Sequence, residues 1–155
     1  MSVKVLTDFL ERSGVRYVKI THSKAYTAQE IAQSAHVAGS ELAKTVIVKK
    51  DGKMAMVVLP ATCRVDLERL KELTGAKKVE LAAEAEFKGM FPECEIGAMP
   101  PFGNLYGMEV FVALQPDKDD EICFNAGTHT ELIRLAYKDY ERVVGPKKAD
   151  CCEKI

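Results

Sequence analysis

Lys44-Thr45-Val46-Ile47-Val48-Lys49-Lys50-Asp51-Gly52-Lys53-Met54-Ala55-Met56-Val57-Val58-Leu59-Pro60 is the stretch on which the fold turns. Apolar and β-branched residues fill both arms, Lys44 to Lys49 and Lys53 to Leu59, and Asp51-Gly52 lies between them. Such side chains suit a pleated, buried backbone, and Asp-Gly supplies the positive φ angles of a two-residue turn. The reading is a β-hairpin closed by Pro60. Alternation along its first arm puts Lys44 on one face with Val46 and Val48.

Downstream, Leu67, Leu70 and Leu73 mark a helix ended by Gly75, and Lys78 to Leu81 reads as a short strand. Ala83 to Lys88 is a short helix stopped by Gly89. Phe91 to Gly107 is rich in glycine and proline, which is loop chemistry. Glu109 to Leu114 and Glu121 to Phe124 are two further strands. Residues 130–144 fit one continuous helix or a strand followed by a helix; strand over Glu131 to Leu135 and helix over Tyr137 to Val144 is the favoured division.

Upstream, Val3, Leu6, Phe9 and Leu10 share a helical face before Gly14, and Val15 to Ile20 reads as a strand. Thr27 and Glu30 form a capping-box pattern that opens a helix with Ala28, Ile31, Ala32 and Ala35 on one side. No linker divides the chain, which predicts one domain over residues 1–155 with a charged tail from about residue 146. Helices interleave with hairpin-linked strands, so the class is α+β with a mixed sheet.

Composition narrows the functions. The 155 residues are 47% hydrophobic and 29% charged, as in a folded globular domain. Twenty-two basic residues against 23 acidic leave no cationic excess for gripping a long duplex, so DNA is not an expected partner. No apolar run approaches the roughly 18 residues of a membrane span, and the charged N-terminus does not read as a signal peptide. A cytoplasmic location follows. The five cysteines form no C-x-x-C pair and are odd in number, so reduced thiols are expected, with Cys151 and Cys152 inert in the tail. No metal-ligand spacing and no Walker or Rossmann phosphate loop is present, so neither metal nor cofactor is expected.

Three places could carry chemistry. Lys44, at a strand entry beside apolar neighbours, could bind a phosphate or stabilise a developing oxyanion, though a strand-entry lysine is more often simply solvated. Gly97-Ala98-Met99-Pro100-Pro101-Phe102-Gly103 is a stiff loop able to bring bare N–H groups near a ligand, though such a motif read alone is more often a structural turn. Phe124-Asn125-Ala126-Gly127-Thr128-His129 ends a strand in a polar turn, where His129 could act as a base or hydroxyl contact. His22, after another strand, is a similar candidate.

In this order the pieces resemble the YbaK/prolyl-tRNA synthetase-associated domain family from about Phe9 to Val144. Lys44 on a hairpin strand, followed by the Gly-x-x-x-Pro loop Gly97 to Pro101, is the pattern that carries the likeness. The resemblance implies a barrel-like mixed sheet and hydrolysis of mischarged aminoacyl-tRNA in trans, typically a small amino acid on tRNA(Pro). It implies that Lys44, Gly97 and Pro101 serve the reaction, with Lys44 an electrostatic clamp and the terminal ribose hydroxyl helping to activate water. His22, Thr45, Ala98, Met99, Pro100, Asn125, Gly127 and His129 would surround the substrate. Partners would be the aminoacyl-tRNA acceptor end, with a synthetase as a further candidate. Some relatives carry His-Pro where Asn125-Ala126 stands and Asn where Thr45 stands, which leaves the amino acid open. The rival readings are an inactive binding module for a charged tRNA end, nucleotide or synthetase, and a Schiff-base enzyme using Lys44.

Overall fold

The computed structural model describes residues 4–21, 42–116 and 120–155. His22, His36 and the helix expected around Thr27 lie outside them. The hairpin is present as β2 (Leu42–Lys50) and β3 (Lys53–Pro60), in register from Ala43 opposite Pro60 to Lys50 opposite Lys53. At the turn Asp51 and Gly52 have φ angles of 50° and 84°. These are the positive values that Asn, Asp and Gly tolerate best. Asp51 also accepts hydrogen bonds from the Lys77 and Lys78 amides, at 2.9 and 3.0 Å, tying the turn to the following segment.

Among the described residues eight further strands extend the sheet or pair beside it in the order of the chain: β1 (Tyr17–Thr21), β4 (Cys63–Val65), β5 (Val79–Leu81), β6 (Glu109–Val112), β7 (Glu121–Asn125), β8 (Glu131–Ala136), β9 (Lys147–Lys148) and β10 (Cys152–Lys154). The ladder runs β1-β8-β7-β2-β3-β6-β9, with β5 added to β2. β2 pairs with β7 in parallel, as β3 does with β6 and β6 with β9; the other contacts of this sheet are antiparallel. The α+β class with a mixed sheet therefore stands. Its ends, β1 and β9, do not pair with each other among the described residues, so no closed barrel forms there.

Among the described residues four α-helices flank the sheet: α1 (Lys4–Arg12), α2 (Leu67–Thr74), α3 (Glu84–Phe87) and α4 (Tyr137–Val144). Residues 131–144 divide into strand then helix, as favoured. Asp66 caps α2 by accepting from the Arg69 amide at 3.1 Å, and Leu70 is its fully buried residue. None of these helices is long and apolar enough to cross a membrane.

β3 does not alternate: Ala55 through Leu59 are all buried. The reason is a core on each face. On one side Ala43, Ile47, Met56 and Val58 meet α1, α4 and the loop residues Met99 and Phe102. On the other, Val48, Ala55, Val57 and Leu59 pack with Leu70 and Phe111. Burying each such Val or Leu contributes roughly 1.5–3 kcal/mol, so this hairpin anchors both layers.

The cysteines correct an expectation. The segment after Val144 packs back onto the second core, where β10 (Cys152–Lys154) pairs antiparallel with β4. This pairing brings the Cα atoms of Cys63 and Cys152 to 5.4 Å, and the two form a disulfide. That spacing lies within the range a disulfide requires. Cys151, expected to be incidental, is fully buried, and burial pushes its thiol up to about 11. Spacing along the chain held no sign of a bridge between residues 89 apart.

Candidate functional site

Lys44 lies on β2 opposite Leu59 of β3, on the sheet face it shares with Val46 and Val48. It is half-buried, and desolvation lowers its pKa from the ordinary lysine value. No carboxylate among the described residues offsets that burial. A half-buried cation with no counter-charge among the described residues suits an external anion or developing negative charge. Thr45 points to the opposite face, in register with Val58.

The neighbouring strand carries Lys44 towards the polar turn. Leu42 and Ala43 pair in parallel with Cys123 and Phe124, and Lys44 and Asn125 are the next residues on the two strands. Alternation puts the two side chains on one face. Asn125 is buried, and its Oδ1 has no hydrogen-bond partner among the described residues. An unsatisfied buried amide oxygen is costly and calls for an explanation, which a ligand donor would supply.

Beyond Asn125 the chain meets the Gly97 loop through backbone bonds. The Gly127 amide donates to the Ala98 carbonyl at 2.9 Å, and the Glu95 amide donates to the Gly127 carbonyl at 2.8 Å. The two segments singled out in the sequence are thus one hydrogen-bonded unit. Gly97 has φ 83°, a left-handed conformation that a side chain strains. Ala98, Met99, Pro100 and Pro101 are buried, and the Tyr140 hydroxyl on α4 donates to the Pro101 carbonyl at 2.7 Å. This bond, with the paired prolines, fixes the loop's far end.

The loop's donors can be counted. The Ala98 amide is engaged by the Glu95 carbonyl at 3.0 Å. Pro100 and Pro101 have no N–H. The amides of Gly97 and Met99 donate to no partner among the described residues. Two unengaged N–H groups on a rigid loop are what an oxyanion requires.

His129 is not presented openly as a base. Its ring Nε2 lies 2.6 Å from the Ile96 carbonyl, which can only accept, so Nε2 carries the proton. Its backbone amide donates to Glu95 Oε1 at 2.7 Å. Glu95, Tyr140 and the Ile96 carbonyl were not legible as partners, because none belongs to a motif and each acts across more than 30 positions. Two clefts lie elsewhere: one of about 750 Å³ beside the disulfide, including Pro60, Tyr137 and Lys154, and another along α1. Neither contains Lys44 or the Gly97 loop. No cluster of His, Cys, Asp and Glu suited to a metal occurs among the described residues.

Known proteins resemble this chain in sequence and in fold. The Escherichia coli K12 multifunctional Ser/Thr-tRNA deacylase ProXp-y is 26% identical over 149 residues, spanning 92% of this chain and 87% of that protein. A proline–tRNA ligase of Bacillus mycoides is 28% identical over 82 residues, 53% of this chain but only 14% of the ligase. The fold is that of a crystallised hypothetical protein, with TM-score 0.82 and 24% identity over 96% of this chain and 99% of that one. It is also that of a candidate trans-editing enzyme for prolyl-tRNA synthetase, with TM-score 0.77 and 22% identity over 96% and 94% of the two chains. Residues 22–143 match the family pattern of the aminoacyl-tRNA editing domain, and the chain belongs to that family.

Proposed function

We propose that this chain hydrolyses, in trans, the ester joining a wrongly selected small amino acid to the terminal ribose of a tRNA, with tRNA(Pro) the foremost carrier. The observation that carries the reading is the junction of Gly127 with Ala98, which links the strand beside Lys44 to a loop with two unengaged amides. Family membership supplies the reaction class. The likeness to a Ser/Thr-tRNA deacylase supports small, hydroxyl-bearing side chains, and the likeness to proline–tRNA ligases supports the tRNA identity and a synthetase association. Selection by size alone gives a synthetase only about 1–3 kcal/mol per methylene, so a second sieve is needed.

In this reading water attacks the ester carbonyl carbon, and the carbonyl oxygen gains negative charge. The Gly97 and Met99 amides receive that charge, while Lys44 holds the terminal phosphate or aminoacyl region. The ester C–O bond then breaks, and the ribose oxygen leaves with a proton. The adjacent ribose hydroxyl orients the water. Pro101, anchored by Tyr140, keeps the loop in place. Asn125, on the face of Lys44, would border the amino acid. Such a substrate exists where translation runs, which assigns the protein to the cytoplasm.

The test is a panel of tRNAs charged with Ser, Thr, Ala and Cys, incubated with wild type and Lys44→Ala. Wild type should hydrolyse at least one, and Lys44→Ala should lose about 10²–10³ in kcat. Binding without turnover across the panel would sink the hydrolase reading. Borohydride trapping separates the electrostatic role from amine chemistry, which the lowered Lys44 pKa would also favour. An adduct at Lys44 would overturn the clamp.

A further inference from the structure

His129 and Glu95 grip each other and the loop between them in a way that substrate contact does not explain. The Glu95 carboxylate accepts from the His129 amide at 2.7 Å, and the His129 ring donates back to the carbonyl of Ile96 at 2.6 Å. Between these bonds the Glu95 amide donates to the Gly127 carbonyl, and the Gly127 amide donates to the Ala98 carbonyl. Four bonds therefore cross from residues 95–98 to residues 127–129. A Cβ placed on Gly97 would stand 3.4 Å from His129 Cε1, so the ring also backs the loop at its left-handed residue. Its Nδ1 is buried with no partner, which leaves the ring no polar atom turned outward.

We infer that Glu95 and His129 are a brace that sets the angle of the loop, and so the direction of the Gly97 and Met99 amides. They are positioning residues and touch no substrate. This deepens the deacylase reading and rests on it for the kinetic consequence, whereas the brace itself can be read without substrate. The physical argument is one of leverage. The loop's far end is locked by Pro100, Pro101 and Tyr140, but Gly97 has neither a side chain nor a ladder to hold it. A glycine in open conformation samples many backbone states unless something outside restrains it. The charge-assisted bond from Glu95 and the ring bond supply that restraint from two sides. Misdirected amides would meet the oxyanion poorly while leaving ground-state binding intact, which places the loss in kcat.

The test combines kinetics with amide hydrogen exchange on full-length protein. Glu95→Ala should lower kcat by about tenfold to a hundredfold with KM nearly unchanged. Glu95→Gln retains an acceptor oxygen for the His129 amide and should restore most of the rate. In the absence of tRNA, the Gly127 and His129 amides should exchange faster in Glu95→Ala and near wild type in Glu95→Gln. His129→Ala removes only the ring bond and should show the same kinetic signature more weakly. Unchanged exchange in Glu95→Ala overturns the brace, as does a rise in KM at constant kcat, the mark of a substrate contact. If Glu95→Ala fails to fold, Glu95→Gln and His129→Ala decide: a KM effect in either overturns the inference. An inactive wild type with exchange altered as expected would refute the deacylase reading and leave the brace standing.

Discussion

Gly52 and Gly97 hold nearly the same backbone angle, φ 84° and 83°, in regions held together in opposite ways. Gly52 turns a hairpin whose strands pair at eight positions and are buried on both faces. A Cβ there would meet nothing within 4 Å. Gly97 sits in a loop with no ladder, restrained by a few hydrogen bonds from distant residues and by the ring of His129. Hairpin stability is spread over many contacts, each replaceable. The loop concentrates its order in a handful, so damage there should register in turnover before it registers in folding.

The largest effect should come from the hairpin's outer layer. The Cys63–Cys152 disulfide closes a separation of 89 residues and pins β10 over the second core. Constraining a loop of that length is worth up to about 4.5 kcal/mol in the chain-entropy limit. Reduction, or Cys152→Ser, should lower the urea midpoint by several kcal/mol of stability while turnover at low temperature persists. Loss of turnover in step with the disulfide would break the comparison, because it would make the clasped face part of the site. Cys151, its thiol raised to about 11, is mostly protonated near neutrality and a slow partner for exchange.

Gly97→Ala comes next. Left-handed strain of about 1–2 kcal/mol and a contact at the edge of tightness with His129 should be relieved by the loop moving. Turnover should fall about tenfold or more, with Tm within a few degrees of wild type. Gly52→Ala imposes the same backbone strain on the ladder, with open space around it. Its cost of about 1–2 kcal/mol should appear as a Tm lower by about 2–6 °C, with turnover unchanged at 25 °C. If both variants lose stability alike and activity alike, the two regions are one cooperative unit and the contrast fails.

The same contrast explains what was legible in the sequence. The hairpin could be read from local signals, since β-branched arms and Asp-Gly state both period and turn. The division of residues 131–144 into strand and helix was balanced locally, and β1 and β7 on either side of β8 decided it. Lys44, Gly97 and Asn125 were visible as residue types in order. That the strands β2 and β7 run side by side was not, because no turn announces a parallel pairing. Glu95 had no signal at all, being an ordinary acidic residue in a loop whose partner lies 34 positions away. The disulfide was hidden for the same reason and was misread as absent. Local chemistry writes itself into neighbouring letters, and long-range closure does not.

The smallest effect separates the two regions by pH. Desolvation lowers the Lys44 pKa in the folded protein below its unfolded value. At low pH the amine is charged in both states, and burying that charge costs stability. Between the folded and unfolded values only the unfolded chain keeps the proton, so stability should rise with pH through that window. Turnover should move the other way, since the cation that binds the substrate is lost first in the folded state. After subtraction of spontaneous ester hydrolysis, kcat/KM should decline with a midpoint below that of a free lysine. Lys44→Arg stays cationic throughout and should abolish both trends, whatever activity it retains. Gly52→Ala should leave the midpoint where it is, because the turn lies at the far end of β2 from Lys44. Turnover rising through the same window would mean that the neutral amine does the chemistry, and the electrostatic clamp would then be wrong.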